Sequence, residues 1–453
     1  MLGAGPRTQR SHSSIQLPPE YCSGQTQVPL FTYKTADFIY DLRESTSNEE
    51  EASDTSKPKR LKDLLHQRWE AAKERGAMNY NLNCLYKFLD GNFECSIQLN
   101  SERGELRRKP MRFRHIREPF NQLRFNFTKL NEAEVMLYLK CEDLPITNDP
   151  LDRHLVAVNA SPLERDHSLI IPSVNKCLPQ VLTTTGIRIA TDVMLLVDDD
   201  TFHVLFNSLL GHASVNHLHL HTLYWPYDSD LVNRRFEPLN DSHDAFVIRP
   251  PDWFCCAFAF QLLNKDGYEK FIRNLTKCVE FLTEREQAHN LFFTRAQPIR
   301  TTGAVRSEDR RNELGRYITA YVFPRVNMHG AKPPTNFNPA ACELAGCLTA
   351  YTYRFFESVT EQAAVRIIEE EASLPDDRFS LLASDLGCLL AGRPIISRPI
   401  ALSTLEGLTS PEIDELHDSF QTFEPHSPAR TPRSSRPRTA SADALFMSKL
   451  RLE

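Results

Sequence analysis

No stretch of this chain approaches about 18 uninterrupted apolar residues, and no apolar leader opens it. The first absence argues against a membrane-spanning helix and the second against secretion, so a cytoplasmic protein without membrane partners is expected. Cys-x-x-Cys is missing too. The cysteines number 11, an odd count, and the closest pairs are Cys255-Cys256 and Cys342 with Cys347. That fits neither a disulfide framework nor a zinc ribbon, and the thiols read as reduced and mostly buried. A basic excess is also absent. The net charge is -6, whereas a nucleic-acid binder normally carries a positive balance. What is present is an ordinary globular composition, 41% hydrophobic and 25% charged over 453 residues, enough for one large core or two moderate ones.

Residues 1–55 mix Ser, Thr, Gln and Pro with an acidic run at Glu49 to Glu51. They are expected to be mostly disordered, with Phe31 to Leu42 able to dock as a strand. Lys57 to Lys62 reads as the solvated lead-in to a helix. Leu61, Leu64, Leu65, Trp69 and Ala72 share one face of that helix, and Gly76 can stop it. Tyr80 to Leu99 reads as strand material broken at Asp90-Gly91-Asn92. The basic stretch Arg103 to Arg117 reads mainly as a solvated strand face. Phe125 to Lys129 alternates like a half-buried strand, and Asn131 with Glu134 is a capping pair for a short helix.

Strands are expected at His154 to Ala160 and Ser168 to Pro172, with His167 a structural residue of their hairpin. Asp198-Asp199-Asp200 reads as a solvated turn rather than a cation site. Further strands are expected at Phe246 to Arg249, Phe254 to Phe260, Asn290 to Arg295 and Tyr317 to Pro324. Asp266 and Glu269 are read as a capping box for a helix carrying Phe271, Leu275, Val279 and Leu282. Lys332 to Pro339 reads as a loop, Glu361 to Ala372 as a helix, and Pro425 to Ser441 as part of a disordered tail spanning 401–453.

The stretch with chemistry in it runs from Phe206 to Trp225. His217, Leu218, His219, Leu220 and His221 alternate with period two, so on a strand three imidazoles line one face while Val215, Leu218 and Leu220 seek a core. Asn207, Gly211 and Ser214 just upstream are small or polar, of the kind that lets backbone approach an anion. Two chemistries want such a cluster. A metal would take neutral imidazoles and a fourth ligand, for which His203, His212 and His243 are unplaced candidates. A nucleophilic site would use one imidazole to attack phosphorus and the others to hold the phosphate. A structural histidine run is the third reading.

Gly211-x-x-Ser214-x-x-His217-x-His219-x-His221 resembles the active-site signature of the histidine triad superfamily. The longer context resembles one branch of it, the GDP-hexose phosphorylases. Arg107-Arg108-Lys109-Pro110, Glu118-Pro119-Phe120, Phe125 to Lys129 and Asn159 to His167 are similar to blocks of that branch, in the same order, and the likeness runs from about Leu61 to Asp377. It implies an α+β fold, a histidine-triad-like antiparallel sheet with packed helices, in two triad-fold halves as in galactose-1-phosphate uridylyltransferase. By this reading 56–265 is the catalytic half and 266–400 a degenerate second half without His-x-His-x-His. Where the family usually has His after Gly346, this chain has Cys347.

The resemblance further implies phosphorolysis of GDP-D-glucose to GDP and glucose 1-phosphate. His219 is then the nucleophile that becomes guanylylated, its Nδ1 proton held by the His217 carbonyl. His217 and His221 complete the catalytic set, and Ser214, Asn207, Lys129 and Asn126 bind substrate. The partners are GDP-hexose and inorganic phosphate, with no cofactor and no metal required; the oligomeric state is open, a homodimer being one option. Two alternatives stand beside this reading. One is a triad nucleotide hydrolase releasing GMP, because the plant branch carries Gln where this chain has His221. The other is a catalytically silent nucleotide-binding protein.

Overall fold

The computed structural model describes residues 28–43, 60–108, 111–143, 153–227, 229–301, 315–329 and 336–395. Most of the expected N-terminal disorder, including Glu49 to Glu51, lies outside the described residues. So do Lys57 to Lys59, Lys109-Pro110, the first part of the 332–339 loop and the tail at 401–453.

Fourteen strands are described: β1 (Leu30–Tyr33), β2 (Leu85–Phe88), β3 (Ser96–Leu99), β4 (Val135–Cys141), β5 (His154–Val158), β6 (Ser168–Ile171), β7 (Phe202–Asn207), β8 (Leu220–Tyr224), β9 (Glu237–Pro238), β10 (Phe246–Ile248), β11 (Ala257–Leu262), β12 (His289–Ala296), β13 (Tyr317–Pro324) and β14 (Cys347–Ala350). The helices are α1 (Leu61–Glu74), α2 (Ser101–Leu106), α3 (Thr184–Leu196), α4 (Tyr268–Glu284), α5 (Ala341–Leu344), α6 (Tyr353–Ser358), α7 (Glu361–Glu371) and α8 (Asp376–Leu390). An 11-stranded sheet runs β1-β4-β5-β6-β8-β7-β12-β13-β11-β10-β9, and β14-β3-β2 form a separate three-stranded sheet. The large sheet is antiparallel apart from β1, which adds to β4 in parallel. The fold is therefore mixed α+β.

The sheet repeats one arrangement from its two ends. The series β5, β6, α3, β7, β8 gives the spatial order β5-β6-β8-β7; the series β10, β11, α4, β12, β13 gives β10-β11-β13-β12. They meet where β7 and β12 pair antiparallel, Phe206 opposite Leu291.

Both faces of the sheet are buried, and the period of two decides which side chain goes where. Val204 and Phe206 of β7 pack with α1, α3, α4 and α8, while Leu205 between them faces the opposite layer. Leu218 and Leu220 belong to the same helix-covered core as Val204, so His219 and His221 are turned to the other face. That sorting, written in the Leu–His alternation, is what aims the imidazoles.

Several local expectations hold and several do not. Helix α1 buries Leu61, Leu64, Leu65, Trp69 and Ala72, and Gly76 follows with φ of 75°, a left-handed turn that glycine adopts without cost. Strands β2 and β3 pair antiparallel around the Asp90-Gly91-Asn92 turn. By contrast, Phe127–Lys129 is a turn of 3-10 helix rather than a strand, because the Asn126 side chain caps it by accepting from the Thr128 N–H at 3.1 Å. Arg103 sits on helix α2, not on a strand. The aromatic strand starts at Ala257, three residues later than Phe254. The Asp266–Glu269 box does not form: Asn264 accepts from the Gly267 N–H, and Glu269 pairs with Arg188 at 2.8 Å. The acidic turn is held by cations of the chain, Arg60 on Asp198 and Lys62 on Asp199. No helix among the described residues is long and apolar enough to cross a membrane.

Candidate active site

A cavity of about 780 Å³ opens on the sheet face that carries His219 and His221. Ligand cavities are commonly on the order of 300–1,000 Å³, so a nucleotide sugar fits. Ser214, Asn207 and Lys129 also line it, together with Arg103, Arg107, Arg108 and the later residues Glu343 and Tyr351. His217 does not. It lies behind the wall, its ring against Phe120 and Phe127.

The triad is not one continuous strand. His217 and His219 precede β8, and only His221 lies within it. The backbone there pairs instead with a side chain: Gln180, fully buried, accepts from the His219 N–H at 2.9 Å. Its amide donates to the carbonyls of His219 (3.1 Å) and Asn207 (2.9 Å), and its own N–H donates to Asn216. Gln180 thus takes the place of a neighbouring strand and welds the end of β7 to the His217–His219 segment. Nothing in the sequence marked it; a lone Gln in a loop has no periodicity to read.

Hydrogen-bond partners fix the tautomer of each imidazole. His219 Nδ1 lies 2.8 Å from the His217 carbonyl, which only accepts, so Nδ1 carries the proton and Nε2 presents a lone pair. His221 is held the opposite way. The Leu163 N–H donates to His167 Nδ1 at 2.8 Å, which puts the proton of a neutral His167 on Nε2, 3.0 Å from His221 Nδ1 and 3.1 Å from the Asn159 amide nitrogen; of these two neighbours only the imidazole nitrogen can accept it. His221 Nδ1 therefore accepts, and its Nε2–H is left as a donor. One ring in the cavity presents a lone pair and its neighbour, 5.1 Å away between centroids, an N–H donor.

His167 is structural, as the hairpin reading has it, yet it also sets the state of a site residue. Sequence spacing carries no sign of that contact.

Burial keeps these rings neutral. It pulls His219 down to about 4, against the opposing bond to the His217 carbonyl. His217 is also drawn to about 4, by burial first and then by His219. His221 is held well below its ordinary value by burial and by His219, His167 and Arg103. A neutral imidazole is what a nucleophile needs.

The other expected residues divide. Asn207 ends β7, and its Oδ1 accepts from Asn290 Nδ2 at 2.6 Å and the Ala341 N–H at 3.1 Å. Its amide nitrogen is thereby left to donate. Ser214 is half-buried in the cavity wall. Lys129 is on the rim, its ammonium donating to the carbonyls of Leu123 and Arg124. Asn126 does not line the cavity: its Oδ1 caps the 3-10 turn, and its amide donates to the Arg124 carbonyl. It shapes the turn from which the Phe127 N–H donates to His217 Nδ1 at 3.1 Å. The Arg103 to Arg117 segment, read mainly as a solvated face, instead sends Arg103, Arg107 and Arg108 to the cavity. As for zinc, no group of three or more His, Cys, Asp or Glu with metal-holding geometry exists among the described residues.

Residues 60–223 match the GDPGP1-like, N-terminal domain family, and 251–388 match the GDPGP1-like, C-terminal domain family. The chain belongs to the GDPGP1-like family. It is 64% identical over 441 residues to GDP-D-glucose phosphorylase 1 of Caenorhabditis elegans, covering 96% of this chain and 92% of that one. The human protein of the same name is 33% identical, covering 80% of this chain and 92% of its own. GDP-L-galactose phosphorylase 2 of Arabidopsis thaliana is 31% identical, over 79% and 80%. Among solved structures, yeast Ap4A phosphorylase Apa2 with Ap4A is similar at a TM-score of 0.47 and 17% identity, covering 70% of this chain and 97% of that one. The triad, the Gln180 brace and the His167 contact all fall within the N-terminal match.

Proposed function

We propose that this protein is a GDP-hexose phosphorylase acting on GDP-D-glucose through a guanylyl-histidine intermediate. Its relatives named GDP-D-glucose phosphorylase support the substrate and the reaction. The observation that carries the mechanism is the tautomer pair, with His219 Nε2 free as a base and His221 Nε2 as a donor. His219 Nε2 attacks the α-phosphorus; the N–P bond forms as the bond to the bridging oxygen breaks, and hexose 1-phosphate leaves. An oxygen of inorganic phosphate then attacks the same phosphorus from the vacated side. The N–P bond breaks, GDP leaves, and His219 returns to its neutral form. Two displacements at modest barriers replace one difficult displacement between two anions.

As the imidazole forms its bond to phosphorus it gains positive charge, which the His217 carbonyl offsets through Nδ1–H. His221, Ser214 and the Asn207 amide stabilise the equatorial oxygens, each well-placed donor contributing roughly 2–4 kcal/mol. Lys129 serves at the rim by charge. No step calls for a metal.

We read the second series of strands as a degenerate triad half, a reading supported by its repeat of the β5-β6-β8-β7 order and by the position of β13 equivalent to β8. It lacks the His-x-His-x-His, and it is the chain after β13, at Met328 and from Asn338 to Tyr351, that supplies cavity wall.

The test is product analysis of purified protein with GDP-glucose, with and without inorganic phosphate, beside His219→Ala. GDP formed only with phosphate, and lost in the variant, is expected. GMP formed without phosphate would make the protein a hydrolase, and no turnover by either route would make it a binding protein.

A further inference from the structure

Three arginines reach the cavity wall, and the two displacements leave one of their needs unassigned. Ser214, Asn207 and His221 provide for the α-phosphate. The leaving group of the first step and the nucleophile of the second are both phosphates attached at the same side of the α-phosphorus. One further anion site, used twice, satisfies both.

Arg103 and Arg107 are one helical turn apart, at the end of α2 and just beyond it, so both side chains project the same way. Each is pinned by groups that do not consume its charge. Arg103 donates through Nη1 to the Ser161 carbonyl, in the loop that carries His167. Its Nε is buried without a partner, a desolvated donor that costs stability unless something completes it. Arg107 lies 5.2 Å over the Tyr351 ring and donates to its hydroxyl at 3.3 Å. Among the described residues neither guanidinium is in an ion pair with a carboxylate, as surface arginines such as Arg366 are.

The buried carboxyl in this wall is Glu343, whose Oε2 accepts from the Ala340 N–H. Burial pushes it up to about 7, against the pull of Arg103 and Arg107, so at neutral pH it offsets only part of their charge. Arg107 is only half-buried, and its Nη1 and Nη2 also reach the Asn338 amide oxygen, so its partners, like those of Arg103, are neutral. Two guanidiniums held by neutral groups at a cavity wall suit a phosphate.

We propose that Arg103 and Arg107 form a second phosphate subsite, which takes the β-phosphate of a nucleotide diphosphate sugar and then inorganic phosphate in its place. The proposal rests on the phosphorylase reading, but its test separates the two. GMP lacks the β-phosphate and GDP has it, so their binding to the whole protein isolates the subsite without any turnover.

Arg107→Ala should weaken GDP binding by on the order of 10-fold or more while GMP changes by less than about 2-fold, as expected for loss of one charge-assisted pair to phosphate. In turnover the same variant should raise the KM for inorganic phosphate. Arg107→Lys should restore part of the GDP affinity through charge alone. Arg103→Lys, which keeps the charge at the more buried position, should show a smaller loss of the same selective kind. Equal losses for GMP and GDP would mean a structural role, and unchanged binding of both would mean no contact; either overturns the subsite. A wild-type protein that binds GDP more tightly than GMP yet turns over no GDP-hexose would overturn the phosphorylase reading and leave the subsite standing.

Discussion

At the scale of single residues, the site depends on side chains that hold the reacting groups rather than touch them. Gln180 fixes His219 through its N–H and its carbonyl. Gln180→Ala leaves those groups and the Asn207 carbonyl unpaired in a buried place, which costs about 1–3 kcal/mol per group. The expected result is a kcat lower by roughly 10- to 100-fold with a much smaller change in KM, because a misplaced nucleophile loses alignment before it loses binding. Steady-state kinetics of the folded variant checks it; KM rising with kcat unchanged would place Gln180 in binding instead. His219 and His221 were legible in sequence, since alternation of His with Leu predicts their shared face and the buried leucines; His217 was not, because the chain bends before β8 and puts its ring behind the wall. Gln180 and His167 were not, because each acts across 39 and 54 residues of chain through one hydrogen bond. A single contact of that span leaves no pattern. Asn126 shows the reverse case: its block was recognisable, but its side chain serves the backbone turn.

At the scale of elements, helix α1 links the core to the site. Trp69 is fully buried on its apolar face, and its indole N–H donates to the His167 carbonyl at 3.2 Å. Trp69→Ala should therefore cost about 3–5 kcal/mol of stability, the usual range for emptying a large aromatic site. Chemical denaturation measures that loss. Trp69→Phe, keeping most of the volume, should lose less stability and still disturb the pairing of His167 with His221, visible as a shift in the His221 ring signals by NMR. Helix α1 was readable to the residue because five apolar positions share one face. The 3-10 turn at Phe127–Lys129 was misread because apolar–polar alternation over five residues does not separate a strand from a capped turn. The arginines of α2 were misread for a related reason: charge in a sequence looks solvated whether or not a cavity stands beside it.

At the scale of the molecule, burial of many neutral imidazoles ties stability to pH. Burial lowers His217, His219 and His289 to about 4 each and His203 to about 3, against an ordinary value near 6.5. Between about pH 6.5 and pH 4 the unfolded chain binds more protons at these sites than the native one, so stability rises with pH across that window. It should be fully present above about pH 6.5 and fall steeply as pH drops toward 4. Unfolding midpoints measured from pH 7.5 to 4.5 check the sign, and a flat profile would show these rings to be solvated. The sheet order was not legible in sequence, because pairing of β7 with β12 joins strands 83 residues apart at Asn207 and Asn290. The α+β class came from the family resemblance, and the strands and helices read one by one agree with it.

A guanylyl-histidine intermediate can be captured on His219 in its covalent state. The protein is mixed with GDP-glucose without inorganic phosphate, quenched under alkaline conditions that preserve phosphoramidates, digested, and analysed by mass spectrometry. The expected result is a guanylyl group on the peptide carrying His217, His219 and His221, localised to His219, and its discharge as GDP when phosphate is added before the quench. Steady phosphorolysis with no modified peptide at any time would contradict it, and would mean that phosphate attacks the nucleotide sugar directly.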